Sequence, residues 1–197
     1  MRAARQHPRA SLAAKPALPG ILSPRPLPAW WAIKEGERLM AQQASLRVFV
    51  VEDQDGERAA LTRWVAAQTG LELVGQAADI AAARKGVAET TPDVVLLDLM
   101  MDGEPPLAFA ADLALAGREK DGGRAPHAPG LRTHVLVLSG YADPGNVRQA
   151  LCAGVTGYVA KGTEQPELLS AIQRVACGEV VFCRVVRERL LNELDGA

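Results

Sequence analysis

Short apolar runs alternate with amphipathic stretches from about residue 46 to residue 178. Continuous apolar runs of this length are typical of strands buried on both faces of a parallel sheet. The predicted strands lie at 47–51, 71–75, 94–97, 134–140 and 156–160. Between them, apolar residues recur at helical spacing, and glycines follow several of these stretches, as they do at helix C-termini. The alternation predicts a doubly wound α/β domain with right-handed crossovers.

Acidic residues follow two of the predicted strands. Glu52 and Asp53 come after the first strand, and Asp98 directly follows the apolar run of the third. The carboxyl ends of parallel strands meet at one edge of a sheet, where open α/β sheets place their chemistry. Carboxylates brought together there raise one another's pKa unless a cation separates them. An all-oxygen site of this kind suits Mg²⁺.

Two further strands end in residues that can contact a phosphoryl group. Ser139 ends the fourth strand and Lys161 the fifth. With Asp98 as an in-line nucleophile and Lys161 and Mg²⁺ neutralising phosphoryl oxygens, this edge holds the groups needed to accept a phosphoryl group. Ser139 would donate a hydrogen bond to a phosphoryl oxygen, and Gly140 would keep the approach clear.

Five motifs in order resemble the receiver domain of two-component response regulators, over about residues 46 to 178. They are VFVVEDQ, VVLLDLMM, VLVLSG, ALCAGVTGYVAK and ELLSAIQRVACGE, of which the last two resemble the NarL/FixJ class. The resemblance implies a (βα)₅ flavodoxin-like fold with strand order 2-1-3-4-5. It places the receiver domain at 45–178.

The resemblance also implies roles for individual residues. Asp98 would be phosphorylated by a sensor histidine kinase, a phosphotransfer protein or a small phosphodonor. The implied Mg²⁺ ligands are Asp53, Asp98 and the backbone carbonyl of Met100, with Glu52 acting through water. Ser139 and Lys161 would contact the phosphoryl group, and Tyr158 matches the aromatic switch residue that turns inward when the hydroxyl moves to the phosphate.

Three features depart from the family pattern. Asp102 stands where the family usually has proline, and its carboxylate could perturb metal binding or phosphorylation. A loop at about 117–132 is longer than usual. Gly162 follows Lys161 where many receivers have a cis-proline. None of these removes a required chemical group, so we expect an active receiver.

Residues 1–44 are Pro-rich and basic without a sustained period, which predicts a disordered extension. A targeting peptide and an interaction arm are both consistent with this composition. Lys34–Glu37 must be encoded by purine-rich codons that can hold a ribosome-binding sequence, so we expect Met40 to be the physiological start. An N-terminal peptide containing Trp30 from native protein would contradict this.

Residues 179–197 predict an amphipathic helix with an apolar stripe. The stripe consists of Val185, Val186, Leu190, Leu191 and Leu194. This segment is too short for a DNA-reading domain, so we expect output by contact with another protein, with a homodimer as one such assembly. The alternatives are a truncated or split DNA-binding transcriptional regulator and a pseudo-receiver that works without phosphorylation.

Composition narrows the remaining classes. The net charge of −1 gives no electrostatic reason to expect nucleic-acid binding. The three cysteines lack metal-binding spacing, and no apolar run is long enough to span a membrane, so we expect a cytoplasmic protein. We expect a phosphoryl acceptor with at most autodephosphorylation, not a metabolic enzyme. A haloacid-dehalogenase-type hydrolase is disfavoured because DLMMDG lacks its paired-aspartate spacing.

Overall fold

The computed structural model describes residues 45–120, 132–140 and 143–195. The predicted extension over 1–44 and the expected start at Met40 lie outside these residues. Most of the predicted loop at 117–132 also lies outside them. Its predicted beginning is wrong, because the preceding helix continues to Lys120. Residues 118–120 are Arg, Glu and Lys, which are good helix formers.

Strands and helices alternate along the described residues. The strands are β1 (Leu46–Val51), β2 (Leu71–Ala77), β3 (Val94–Asp98), β4 (His134–Ser139), β5 (Gly157–Ala160) and β6 (Val181–Phe182). The helices are α1 (Asp55–Ala67), α2 (Ile80–Thr90), α3 (Pro106–Lys120), α4 (Pro144–Cys152), α5 (Gln165–Ala176) and α6 (Arg184–Asp195). None of these helices is both long enough and apolar enough to cross a bilayer.

The strands form one parallel sheet in the order β2-β1-β3-β4-β5-β6. The predicted flavodoxin-like fold and the predicted order of the first five strands are confirmed. β6 was not predicted. It consists of two residues, and its place is set by backbone hydrogen bonds from Val181 to Thr156 (3.0 Å) and from Cys183 to Tyr158 (3.2 Å).

The C-terminal segment therefore forms a strand followed by a helix, whereas the sequence predicted a helix alone. Its apolar stripe is only partly buried. Val186 is fully buried, whereas Val185 and Leu191 are among the exposed large apolar residues of the described chain. Helix α6 contacts α4 and β5, while Val185 and Leu191 of the predicted stripe are exposed. The side chain of Leu194 lies outside the described residues.

Register brings the ends of β1, β3 and β4 to the same level. Val51 pairs with Leu97, and Asp98 pairs with Leu138. Residues that follow these positions therefore lie at one edge of the sheet. At the same edge, the amide of Lys161 donates to the carbonyl of Ser139 at 2.8 Å.

Aspartate side chains cap the N-termini of helices α2 and α4. Asp79 accepts a hydrogen bond from the amide of Ala82 at 2.7 Å, and Asp143 accepts one from the amide of Asn146 at 3.0 Å. Both carboxylates satisfy amides that have no partner inside the helix. These two side chains fix the starts of α2 and α4, directly after the sheet edge.

Two glycines make room for the ring of Phe49 in the core. A Cβ at Gly75 would lie 2.5 Å from this ring, and a Cβ at Gly86 would lie 2.6 Å from it. Phe49 is itself buried, so its ring has little freedom to move aside. The absence of side chains at these glycines lets α2 and β2 pack closely on β1.

We predict that Gly86→Ala lowers the free energy of unfolding by about 1–3 kcal/mol, because the added methyl overpacks the site of Phe49. Alanine otherwise favours helix over glycine by about 1 kcal/mol. The matched control is Gly56→Ala in α1, where an added Cβ meets no atom within 4 Å. Urea unfolding should leave that control unchanged or slightly more stable. Equal stability of Gly86→Ala and the wild type would contradict the packing argument.

Candidate functional site

Three carboxylates meet at the sheet edge, as the sequence predicted they would. One carboxylate oxygen from each of Glu52, Asp53 and Asp98 lies within 4.8 Å of the others. Glu52 is 3 % exposed and Asp98 is 1 % exposed, whereas Asp53 is half-buried. Carboxylates held this close and this deep repel one another strongly unless cations lie among them.

The residues present fit a bound divalent cation. The Oδ1 atom of Asp53 is buried and has no hydrogen-bond partner among the described residues. A buried carboxylate oxygen without a partner is costly, and a cation would satisfy it. Carboxylate oxygens are also the ligand type that Mg²⁺ prefers. The acidic cluster could therefore hold a metal ion through Glu52, Asp53 and Asp98.

Lys161 partly compensates the charge of the cluster. Its Nζ donates to Glu52 Oε2 at 2.8 Å and to Asp98 Oδ2 at 3.0 Å. A third hydrogen bond goes to Glu57 Oε2 at 2.5 Å. The ammonium group thus uses each of its three donors on a carboxylate. The side chain of Lys161 is 25 % exposed, so it lies between the buried acids and solvent.

These contacts shift the ionisation of both partners. Burial raises the pKa of Glu52 above its ordinary value, and the hydrogen bond from Lys161 opposes this only in part. The nearby Asp98 carboxylate raises the pKa of Glu52 further. Burial alone would lower the pKa of Lys161, but its hydrogen bonds to the three carboxylates outweigh burial and raise it. Lys161 is therefore a firmly protonated cation at neutral pH.

Both oxygens of Asp98 have protein partners. Oδ2 accepts from Lys161, and Oδ1 accepts from the amide of Met100 at 3.1 Å. These two bonds orient the carboxylate at the end of β3. The side chain of Met100 is exposed, and the metal-binding role of its carbonyl stays a prediction.

Arg58 and Glu57 belong to the site, although the sequence reasoning did not identify them. Arg58 Nη1 donates to the carbonyl of Glu52 at 2.8 Å and to that of Asp53 at 3.2 Å. Its other terminal nitrogen pairs with Asp55. Arg58 thereby ties the acidic turn to the first turn of α1. Charged residues in the first turn of a helix normally indicate a solvent-facing surface. The only feature of the sequence that could have placed Glu57 and Arg58 in the site was their closeness to Glu52.

Ser139 and Tyr158 lie together beside the acidic cluster. Both side chains are buried at 1 % exposure, and they share a hydrogen bond. Burial raises the pKa of Tyr158, and the carboxylates of Asp143 and Asp98 raise it further, against the effect of Ser139. The structure thus brings the predicted hydroxyl and the predicted switch residue into direct contact.

The described contacts do not account for the predicted roles of Gly140 and Asp102. A Cβ at Gly140 would meet no atom of the described residues within 4 Å, so packing against them does not require glycine there. Asp102 is exposed in the turn after β3, next to Gly103 at φ +95°. The role of Gly140 in access and the effect of Asp102 both stay predictions.

We predict that Lys161→Met lowers the free energy of unfolding in metal-free buffer by about 2–3 kcal/mol, because it leaves two buried carboxylates without their cation. Without the ammonium, the pKa of Glu52 rises further above its ordinary value. The folded state then binds a proton more tightly than the unfolded state, so the lost stability should return as pH falls from about 8 to about 5. Urea unfolding across this range measures both effects.

The control for this experiment is Lys85→Met, which removes an exposed lysine on α2. It should change the unfolding free energy by less than about 0.5 kcal/mol at any pH. A Lys161→Met loss that does not shrink on acidification would show that Glu52 is not the group left uncompensated.

Comparison with known proteins identifies the family. A family model described as the response regulator receiver domain matches residues 48–173. The transcriptional regulatory protein DesR of Bacillus subtilis is 29 % identical over 150 residues, covering 76 % of this chain and 68 % of DesR. The DNA-binding transcriptional activator DevR/DosR of Mycobacterium tuberculosis is 28 % identical over 152 residues, covering 77 % of this chain and 64 % of that protein. The chain thus spans about two thirds of the length of such relatives.

A solved structure agrees with this result at the level of the fold. The crystal structure of a two-component response regulator of the LuxR family from Aurantimonas superposes with a TM-score of 0.65 at 24 % identity. The match covers 77 % of this chain and 99 % of that one. The resemblance in the sequence motifs is therefore confirmed, and the chain belongs to the response regulator receiver domain family of two-component systems.

Proposed function

We propose that this receiver is a phosphoacceptor, in which Asp98 takes a phosphoryl group from a sensor histidine kinase or phosphotransfer protein. The observation that carries the proposal is the arrangement around Asp98. Its carboxylate is oriented by Met100 and Lys161. It lies beside an acidic cluster in which a buried oxygen of Asp53 has no partner within the described part of the chain. A nucleophile, a cation and a metal-binding cluster are the parts that phosphoryl transfer to a carboxylate requires.

Mg²⁺ is the metal proposed for the cluster, held by Asp53, Asp98 and the carbonyl of Met100, with Glu52 acting through water. When bound, it would neutralise charge on the transferred phosphoryl oxygens. The remaining chemistry belongs to side chains of the chain. A carboxylate oxygen of Asp98 forms the new bond to phosphorus as the donor's bond to phosphorus breaks, with the bond electrons leaving on the donor. Lys161 moves its hydrogen bond from the Asp98 carboxylate to a phosphoryl oxygen.

Ser139 provides the link from the phosphoryl group to the rest of the domain. Its hydroxyl shares a hydrogen bond with Tyr158. Because a hydroxyl has one hydrogen to donate, Ser139 can donate to a phosphoryl oxygen only while it accepts from Tyr158 or after it gives up that contact. The side chain of Tyr158 is already buried before phosphorylation. Phosphorylation would therefore increase the population of a conformation that the unphosphorylated domain also adopts. The output would be contact of this face with another protein. In this proposal the domain accepts a phosphoryl group and at most removes it again, without acting as a metabolic enzyme.

A second candidate function is control of transcription. The names of DesR and DevR/DosR describe transcriptional regulators, and this chain matches about two thirds of each. In this alternative the receiver would regulate a DNA-binding partner or a DNA-binding segment. A coding frame for a helix-turn-helix directly downstream in the transcript would favour it over output by protein contact alone.

We predict that wild-type protein incubated with Mg²⁺ and a small phosphodonor gains one phosphoryl group in intact-mass measurements. Asp98→Asn should gain none, because an amide is not a nucleophile at phosphorus. The matched control is Asp102→Asn, which changes an exposed aspartate in the next turn and should still be phosphorylated. An unmodified wild type together with a modified Asp102→Asn or Asp102→Pro would favour the pseudo-receiver alternative.

We predict that Mg²⁺ raises the thermal unfolding temperature by several degrees, since a ligand at about 100 times its Kd stabilises the folded state by about 2.7 kcal/mol. Asp53→Asn should remove most of this rise, because it deletes a charged ligand whose Oδ1 is otherwise unsatisfied. Thermal scans with EDTA and with saturating Mg²⁺ give the difference. A rise in Asp53→Asn equal to that of the wild type would exclude Asp53 as a ligand.

A further inference from the structure

Glu57 adds a fourth carboxylate to the site. It lies in the first turn of α1, and its Oε2 is 2.5 Å from Nζ of Lys161. Unlike Glu52 and Asp98, which are buried, the Glu57 side chain is 48 % exposed. Glu57, Glu52 and Lys161 also line one open cavity of about 340 Å³. Glu57 therefore meets Lys161 from the side that solvent reaches.

The contact with Glu57 occupies the last donor of Lys161. The other two donors are bonded to Glu52 and Asp98. An ammonium group has three hydrogens, so Lys161 can reach a phosphoryl oxygen only by releasing one of these carboxylates. Glu57 also offsets the positive charge that would attract an incoming phosphodonor.

The count of charges gives the direction of the effect. Glu52, Asp53, Asp98 and Glu57 oppose the single charge of Lys161, and Arg58 is paired with Asp55. Three negative charges are therefore uncompensated when all four acids are ionised. A bound divalent cation would compensate two of these negative charges and leave one uncompensated. Without Glu57, the same site with its cation would be neutral. A small phosphodonor is an anion, and a residual negative charge a few ångströms from the phosphorus repels it.

We propose that Glu57 is a positioning residue that sets the selectivity of phosphorylation. It holds Lys161 and keeps one uncompensated negative charge at the site. This charge slows the reaction with small anionic phosphodonors, and it slows donors with more negative charge the most. A phosphoryl group delivered by a docked protein is held in place by the rest of the interface and is less sensitive to this repulsion. The inference rests on the proposed phosphorylation of Asp98 and extends it to the choice of donor.

The test compares Glu57→Gln with the wild type at saturating Mg²⁺, using intact mass to follow the rate of phosphoryl uptake. Two donors of different charge are used: acetyl phosphate, mainly a dianion near neutral pH, and phosphoramidate, mainly a monoanion. Removing one charge at this range should speed the reaction with acetyl phosphate roughly three- to tenfold and that with phosphoramidate less. The difference between variants should shrink at high salt, where surface charges are screened.

Two further variants separate charge from other effects. Glu57→Asp keeps the charge and should stay close to the wild-type rate. Glu89→Gln removes the same charge from an exposed position near the far end of α2 and should leave the rates unchanged. Glu57→Gln should also weaken Mg²⁺ binding several-fold, because the cluster loses negative charge and Lys161 is free to bind its remaining carboxylates more tightly. A purely structural role of Glu57 would not change the dependence on donor charge.

Each outcome decides between the claims. If the wild type and Glu57→Gln both take up a phosphoryl group and do so at equal rates, the role of Glu57 is overturned. The phosphoacceptor proposal then stays intact. A Glu57→Asp variant as fast as Glu57→Gln would overturn the charge mechanism. Phosphorylation of Glu57→Gln alone would support both proposals, with Glu57 as a strong barrier. Uptake by neither protein would overturn the inference, because removing the charge of Glu57 would then not admit small donors.

Discussion

The structure depends on one ammonium group placed against two buried carboxylates. Lys161 contacts Glu52 and Asp98, which lie at the ends of adjacent strands and are almost completely shielded from solvent. Buried acids without a cation would destabilise the sheet edge by several kcal/mol. The same contact holds Asp98 in a defined orientation. Stability of this edge and the orientation of the proposed phosphoacceptor therefore come from a single interaction.

A parallel sheet makes this arrangement available at little cost. Every strand of β1 to β5 ends at the same edge, so residues far apart in sequence meet there without any special loop. Lys161 and Glu52 are 109 positions apart, yet each only has to follow its own buried strand. The core supplies the rigidity, because residues 48–51 of β1 and all residues of β3 are buried.

The parts that could be predicted from sequence are those with a local signal. A buried apolar run followed by Asp98 is visible within a few residues. Glu57 had no such signal, because its partner lies 104 positions away and its place in a helix is typical of a solvent-exposed residue. Strand β6 is equally hidden, since two residues held by backbone hydrogen bonds leave no pattern.

Strand β6, which was not predicted, matters because it pairs with β5 beside Tyr158. The carbonyl of Tyr158 accepts a hydrogen bond from the amide of Cys183, and the amide of Ala160 donates to the Cys183 sulfur at 3.4 Å. The outer edge of β5 is thus bonded to the chain's own C-terminal segment, whose helix α6 also contacts α4. Any movement of Tyr158 that moves its backbone must be accommodated by β6. The site edge and the C-terminal helix are therefore joined through one strand, with Ser139 at one end of the connection and Cys183 at the other.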